Sequence, residues 1–165
     1  MTMTAPQIRI RNQLAPGDLG YIIHLHGVLY PREYGLGGTF EADVAIRLGE
    51  FVKSYDQRKD YIAVAEADGR IAGSIVVNGE TDEVALVRWF LVHPDLRGRG
   101  IGRQLINDAL AFCRERGFRK VRLWTTADFR AAVHLYKQTG FVCTHEAPRE
   151  IWGAMRTEQE YELNL

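Results

Sequence analysis

Between Arg97 and Arg103 the chain reads Arg-Gly-Arg-Gly-Ile-Gly-Arg, with glycine at every second position and arginine between and around. Residues without a Cβ let successive backbone N–H groups turn toward one point. If a helix starts there, its first N–H groups lack intrahelical acceptors and carry the positive end of the dipole. The chemistry such a turn can do is to cradle a phosphate, with Arg97, Arg99 and Arg103 adding local positive charge. A dinucleotide fingerprint counted from Gly98 would need glycine where Arg103 stands, and the Gly-Lys-Ser/Thr of a Walker loop is absent. A flexible arginine-rich turn is the plain alternative at this level.

Other residues could do chemistry by type. Arg88 interrupts the apolar run Val84 to Val92. Strict alternation puts it on the face of Phe90 and Val92, where its charge needs a partner. Glu33, Glu80, Asp82 and Glu83 qualify by type, and so does a carboxylate on a bound acceptor. No carboxylate in that run is an obvious base. His24 and His26 are two apart on a helical stretch, so at most one points inward. The basic run Arg114, Arg116, Arg119, Lys120 and Arg122 reads as a solvated helix end, or as a reach toward a phosphate.

Elements must position these groups. Ile8 to Asn12 alternates like a strand; Ala15-Pro16-Gly17-Asp18 then offers Asp18 as the cap of a helix ending near Leu29, because the residue before Pro31 disfavours helix. A glycine-dense loop, Tyr34 to Gly38, is expected to be mobile, with Thr39 capping a second helix. Tyr61–Glu66 and Arg70–Asn78 flank Ala67-Asp68-Gly69, a hairpin signal, and Val84–Val92 reads as the central strand. Gly100 to Arg116 is helical in period and stops at Gly117. Val121–Thr125 is a strand, and Asp128 caps a helix stopped by Gly140. Phe118 and Phe141 follow those two glycines and can pack back on the last turn. Strands Val142–Glu146 and Glu160–Leu165 close the chain around a polar loop that holds Trp152. The order predicts one domain of mixed α/β class, a twisted sheet of six to seven strands flanked by about four helices.

The whole chain of 165 residues balances 21 Lys and Arg against 21 Asp and Glu. That neutrality argues against nucleic-acid and anionic-membrane partners. No apolar run approaches the length of a membrane span, and Met1 to Gln7 lacks a signal's regions. Cys113 and Cys143, both expected as buried free thiols without metal-ligand spacing, suggest a reducing compartment, the cytoplasm by default, and no metal.

Hydrophobic-Val-x-Pro-x-x-Arg-Gly-x-Gly-x-Gly from Leu91, followed by Ala132-x-x-Leu135-Tyr136-x-x-x-Gly140-Phe141, resembles the two signatures of the GCN5-related N-acetyltransferase (GNAT) family. Together they cover about half the chain. His26-Gly27-x-Leu29-Tyr30-x-x-Glu33-Tyr34-Gly35 and the ending Glu160 to Leu165 further resemble the acetyltransferase domain often fused behind a MarR-type winged helix, although no DNA-binding domain precedes it in this sequence. The resemblance implies a GNAT fold and acetyl-CoA as co-substrate, with an acetyl group moved by direct attack to a small-molecule or peptide amine. A non-catalytic acyl-CoA-binding sensor or partner module is the alternative, and a homodimer is left open. It implies that Leu91 and Val92 offer backbone groups to the acetyl and pantetheine moieties. Arg97, Gly98, Arg99, Gly100, Ile101, Gly102 and Arg103 would bind the pyrophosphate, with Ala132 against the cofactor. Tyr136 would be the general acid, a phenol protonated at neutral pH, although helical aromatics usually pack. Tyr30, Glu33, Tyr34 and Trp152 would lie in loops over the acceptor cleft, with Arg88 as a further acceptor residue. One position departs from the pattern: Phe129 stands where the family often has Asn, which puts a cofactor hydrogen bond in doubt.

Overall fold

The computed structural model describes residues 6–165; the first five, part of the Met1 to Gln7 stretch, lie outside it. The strands are β1 (Ile8–Arg11), β2 (Tyr61–Ala67), β3 (Arg70–Gly79), β4 (Val84–Val92), β5 (Lys120–Thr126), β6 (Val142–Ile151) and β7 (Ala154–Asn164). The helices are α1 (Asp18–Tyr34), α2 (Gly38–Lys53), α3 (Ile101–Glu115) and α4 (Arg130–Thr139). All seven strands form one sheet in the order β1-β2-β3-β4-β5-β7-β6. Every pairing is antiparallel except β4 with β5, whose crossover runs through α3. This is the mixed α/β architecture that the element order predicts.

The alternation of β2 and β3 serves two cores. Ala63, Ile75 and Val77 face α3, with Leu105, Ile106 and Ala109, whereas Ile62, Val64 and Val76 face α1 and α2, with Ile22, Leu29, Val44 and Leu48. Asp68 and Gly69 both adopt positive φ, which suits the right-handed twist of the β2–β3 hairpin. At the ends of α3 and α4 the N–H of Phe118 reaches Cys113 O and that of Phe141 reaches Tyr136 O, each at 3.0 Å. These six-to-one bonds close the last turn as the glycine–phenylalanine pairs predict.

Several expectations are corrected. Helix α1 passes through Pro31 to Tyr34 and is capped by Gly35, whose N–H donates to Pro31 O at 2.9 Å. A proline costs one helical hydrogen bond, and burial of Leu29 and of Leu36 beyond the cap offsets that loss. The glycine-dense loop shrinks to a three-residue connection, Gly35 to Gly37, anchored by the buried Leu36. Asp18, Thr39 and Asp128 are not caps: Gly17, Gly37 and Phe129 hold those positions. The long polar loop near the end is instead a tight hairpin. Strand β6 continues to Ile151 and β7 begins at Ala154 across Trp152 and Gly153, both at positive φ. Cys113 is buried, which pushes its thiol up to about 12, but Cys143 lies exposed on edge strand β6.

Candidate active site

Strands β4 and β5 pair only where Val84–Leu86 meet Lys120–Arg122, and then they part. A cavity of about 680 Å³ opens in the resulting gap. Its walls include Leu86 to Phe90 of β4, Leu123 to Thr126 of β5, Ala132 and Tyr136 of α4, His26 and Tyr30 of α1, Asp43 and Arg47 of α2, and Trp152 of the β6–β7 hairpin. Sequence-distant residues thus converge because parallel pairing stops after three residues.

Strand β4 carries a bulge. Arg88 pairs with Val76 and Leu91 with Ser74, so three steps on β4 match two on β3, and Trp89 takes φ 45°. The extra residue reverses the inside–outside alternation. Arg88 therefore faces the α1–α2 side with Val76, not the side of Phe90 and Val92. The bulge also assigns the backbone. His93 N–H donates to Ala72 O at 2.7 Å, so in an antiparallel ladder Leu91 is spent on β3 while Val92 turns to the gap. Phe90 O accepts from Tyr30 Oη at 3.3 Å and Val92 O from Arg97 Nε at 3.0 Å, which places both carbonyls off the ladder. The strand edge facing the gap is thus Phe90 and Val92, not Leu91.

At the end of β4 a 3₁₀ turn, Pro94–Leu96, leads into the glycine run, and Gly98 and Gly100 adopt φ +75° and +80° with open space around them. Left-handed conformations at alternate positions suit glycine and fan the N–H groups outward. Gln104 is the first residue of the helix to donate, to Gly100 O at 2.9 Å; among the described residues the N–H groups from Gly98 to Arg103 have no protein acceptor. Gly102 is different: a Cβ there would lie 3.2 Å from Leu135 and 3.5 Å from Phe90, so it allows α3, α4 and β4 to close up. Arg99 forms no ion pair among the described residues, and Arg103 donates to Gln138 Oε1 at 3.0 Å. The Arg97 side chain is turned away. It grips Glu33 with two bonds of 2.5 and 2.8 Å and caps Val92 O, tying the end of α1 to the end of β4. Glu33 is correspondingly occupied.

On α4, Ala132 and Tyr136 are one turn apart and both face the cavity. Tyr136 is 6% exposed, with Phe90, Phe141 and Tyr161 rings around it. Burial, and secondarily the nearby Tyr30 and Tyr34 phenols, push its pKa well above the usual 10, so it stays protonated. Tyr30 and Tyr34 sit on the last turns of α1 rather than in a loop, and Phe129 packs between them, with ring centroids at 5.1 and 4.5 Å. Phe129 is thus a wall of an aromatic cluster. Trp152 donates Nε1–H to Asp43 at 3.0 Å and meets Phe40 edge-on, fixing the hairpin tip against α2.

Sequence reasoning did not single out His26 for the cavity wall. It is buried and stacks on Tyr30 at 5.4 Å, while His24 is exposed. Its Nδ1 donates to Ile22 O at 2.8 Å, which leaves Nε2 as a bare acceptor, buried and without a partner. Desolvation lowers its pKa to about 4. Thr126 Oγ1, on the opposite wall, is likewise buried and unpartnered. The only advance signal was the helical phase of His26 relative to Ile22 and Leu29.

Two members of the basic run meet acids of β7: Lys120 pairs with Glu162 at 2.9 Å and Arg122 bonds Glu160, while Arg122 also approaches Glu80 and Arg119 approaches Glu83. Among the described residues no cluster of three or more His, Cys, Asp or Glu could hold a metal ion, and no helix is long and apolar enough to cross a membrane.

A strand splayed from its neighbour, with a glycine loop at its end, can be compared with known proteins. The sequence profile of the acetyltransferase (GNAT) family matches residues 30–141. The chain belongs to this family. An uncharacterized N-acetyltransferase of Escherichia coli K12 is 32% identical over 114 residues, 66% of this chain and 68% of that one. A mycothiol acetyltransferase of Nocardia farcinica is 30% identical over 142 residues, 84% of this chain and 46% of that one. The chain spans less than half the length of the first curated relatives it matches. Among solved structures, an acetyltransferase of Salmonella typhimurium with its cofactor acetyl-CoA shares the GNAT fold at a TM-score of 0.76 and 18% identity, covering 95% of this chain and 93% of that one.

Proposed function

We propose that this GNAT protein moves an acetyl group from acetyl-CoA to the amine of an acceptor by direct attack within a ternary complex. The observation that supports this most is the run of unpartnered N–H groups, Gly98 to Arg103, between β4, which lines the gap that also holds Tyr136, and α3. Bound acetyl-CoA supplies the thioester carbonyl that the amine attacks and the thiolate that leaves. The loop N–H groups, with Arg99 and Arg103, hold the pyrophosphate; Arg97 contributes its backbone and positions the end of β4. The edge of Phe90 and Val92 orients the pantetheine and acetyl end, and Ala132 leaves room beside it.

The amine arrives neutral, its nitrogen bonds to the acetyl carbon as the carbon–sulfur bond breaks, Tyr136 gives its proton to the departing sulfur, and the proton that the nitrogen then sheds restores the Tyr136 phenol, leaving amide and free thiol. Burial keeps the phenol protonated, so its proton is in place when the sulfur leaves. Tyr30, Arg88 and Trp152 face the acceptor, Tyr34 backs the wall through Phe129, and Glu33 acts through Arg97. The two free cysteines and the balanced charge fit a cytoplasmic enzyme, and the stretches His26 to Gly35 and Glu160 to Leu165 support the resemblance to the branch often fused to MarR-type regulators.

Turnover tests the reading. Purified protein with acetyl-CoA and a panel of amines and peptides is expected to release free coenzyme A. Binding of acetyl-CoA without release against any of them would favour the sensor-module alternative.

A further inference from the structure

Two guanidiniums share one end of the cavity. Arg88, turned to the α1–α2 side by the bulge, stacks on Trp89 with 4.2 Å between its Cζ and the ring centroid. Arg47 of α2 faces the same space, and both also line a second hollow with Glu50, Phe51, Ser54 and Asn78. Among the described residues no Asp or Glu forms an ion pair with either of them. Of the carboxylates expected to pair with Arg88, Glu33 is committed to Arg97, Glu80 to Arg122 and Glu83 to Arg119, and Asp82 is exposed with no ion pair among the described residues. Of the acids lining the cavity, Asp43 holds Trp152 and Glu158 holds Arg149, while Glu150 is exposed, as is Glu50 of the second hollow.

A half-buried charge ordinarily has a partner, because desolvation is otherwise uncompensated. Here the neighbouring charge has the same sign. Burial first and Arg47 second lower the pKa of Arg88. An anion bound at this end would relieve both costs, and a guanidinium fork is matched to a carboxylate.

We propose that the acceptor is a small amino carboxylate, whose anionic group is held by Arg88 and Arg47 while its amine points to the gap lined by Tyr136. This rests on the acetyl-transfer reading and names its substrate class. Polyamines are disfavoured at the same end by like charge.

The test uses free α-amino acids, the matching amino acid amides, dipeptides and spermidine as probes. Coenzyme A release is followed at saturating acetyl-CoA, and the same probes are titrated calorimetrically into the protein–coenzyme A complex. The best free amino acid is expected to exceed its amide by about tenfold to a hundredfold in kcat/KM, mostly through KM, as a charge-assisted pair would give. Dipeptides distinguish a free amino acid from a peptide terminus as the source of the carboxylate. Arg88→Gln should collapse the acid-to-amide ratio toward one, Arg88→Lys should keep part of it, and Arg47→Gln, at an exposed helix position, should narrow it without a folding risk. Melting temperatures check that the variants fold.

Equal or better turnover of amides or spermidine, or an unchanged ratio in Arg88→Gln, overturns the carboxylate inference and leaves acetyl transfer standing. If nothing turns over although acetyl-CoA binds, acetyl transfer fails, and calorimetry alone decides the arginine pair. Amino acids binding at least about tenfold tighter than their amides keeps it, and equal or absent binding overturns it.

Discussion

At the scale of single residues, the cavity holds two groups whose surroundings fix their protons in advance. Tyr136 is kept neutral because burial disfavours its phenolate. Its folded pKa lies above 10, so it remains a donor at every pH below that. The activity profile is therefore expected to rise with the neutral fraction of the acceptor amine and to show no fall from Tyr136 up to pH of about 10. A kcat profile over pH 6–10 checks this; an alkaline limb centred well below 10 with an amine of higher pKa would exclude Tyr136 as the acid. His26 is the opposite case, a base whose folded pKa is depressed to about 4 from 6.5 by burial. The unfolded chain takes up the proton first, so the contribution is complete above pH 6.5 and is lost as pH falls to 4. His26 faces the Ile22 carbonyl and the Tyr30 and Phe40 rings, and no carboxylate is bonded to it among the described residues. His26→Gln should flatten the fall in melting temperature between pH 6.5 and 4, and an unchanged slope would assign the acid sensitivity to other groups.

Elements decide what those residues face. The loop cradle depends on left-handed backbone at Gly98 and Gly100, a conformation that costs an L-residue about 1–2 kcal/mol. Gly100→Ala should weaken acetyl-CoA binding on the order of tenfold, by calorimetry, while kcat at saturating donor changes little, because only the N–H fan is disturbed. Much of this scale was legible in the sequence. The Asp68-Gly69 turn, the glycine–phenylalanine stops, the central strand and the glycine cradle all rest on local backbone preferences that need no distant partner. The misses share a different cause. Pro31 inside α1 is outweighed by packing of Leu29 and Leu36, which local preference does not contain. Trp152 takes a turn conformation that its residue type disfavours, held by Asp43 and Phe40 from 109 residues away and more. The bulge at Trp89 inserts one residue into the ladder, and alternation alone then assigns Arg88 to the wrong face.

For the whole molecule, the site exists because two sheet halves part along the β4–β5 seam and two helix layers close over different sides of it. The halves are held by the three-residue parallel pairing, by α3 crossing the seam, and by the ion pairs of Arg122 with Glu80 and Arg119 with Glu83 across it. A ligand lying in that gap bridges both halves and should stabilise the fold. Acetyl-CoA at a hundred times its Kd contributes about 2.7 kcal/mol, which for a domain of this size raises the melting temperature by about 5–10 °C. A thermal shift assay with acetyl-CoA and with adenosine diphosphate checks it: a rise with both, larger for the whole cofactor, fits contacts along the gap as well as at the loop.

The most direct measurement is coenzyme A release at saturating acetyl-CoA and a turned-over amine, by the wild-type protein and by Tyr136→Phe, with acetyl-CoA affinity measured on both. Turnover by the wild type is expected, with a kcat lower by about a hundredfold or more in the variant at nearly equal affinity. A wild type that binds acetyl-CoA and releases nothing, or a variant as fast as the wild type, would contradict it.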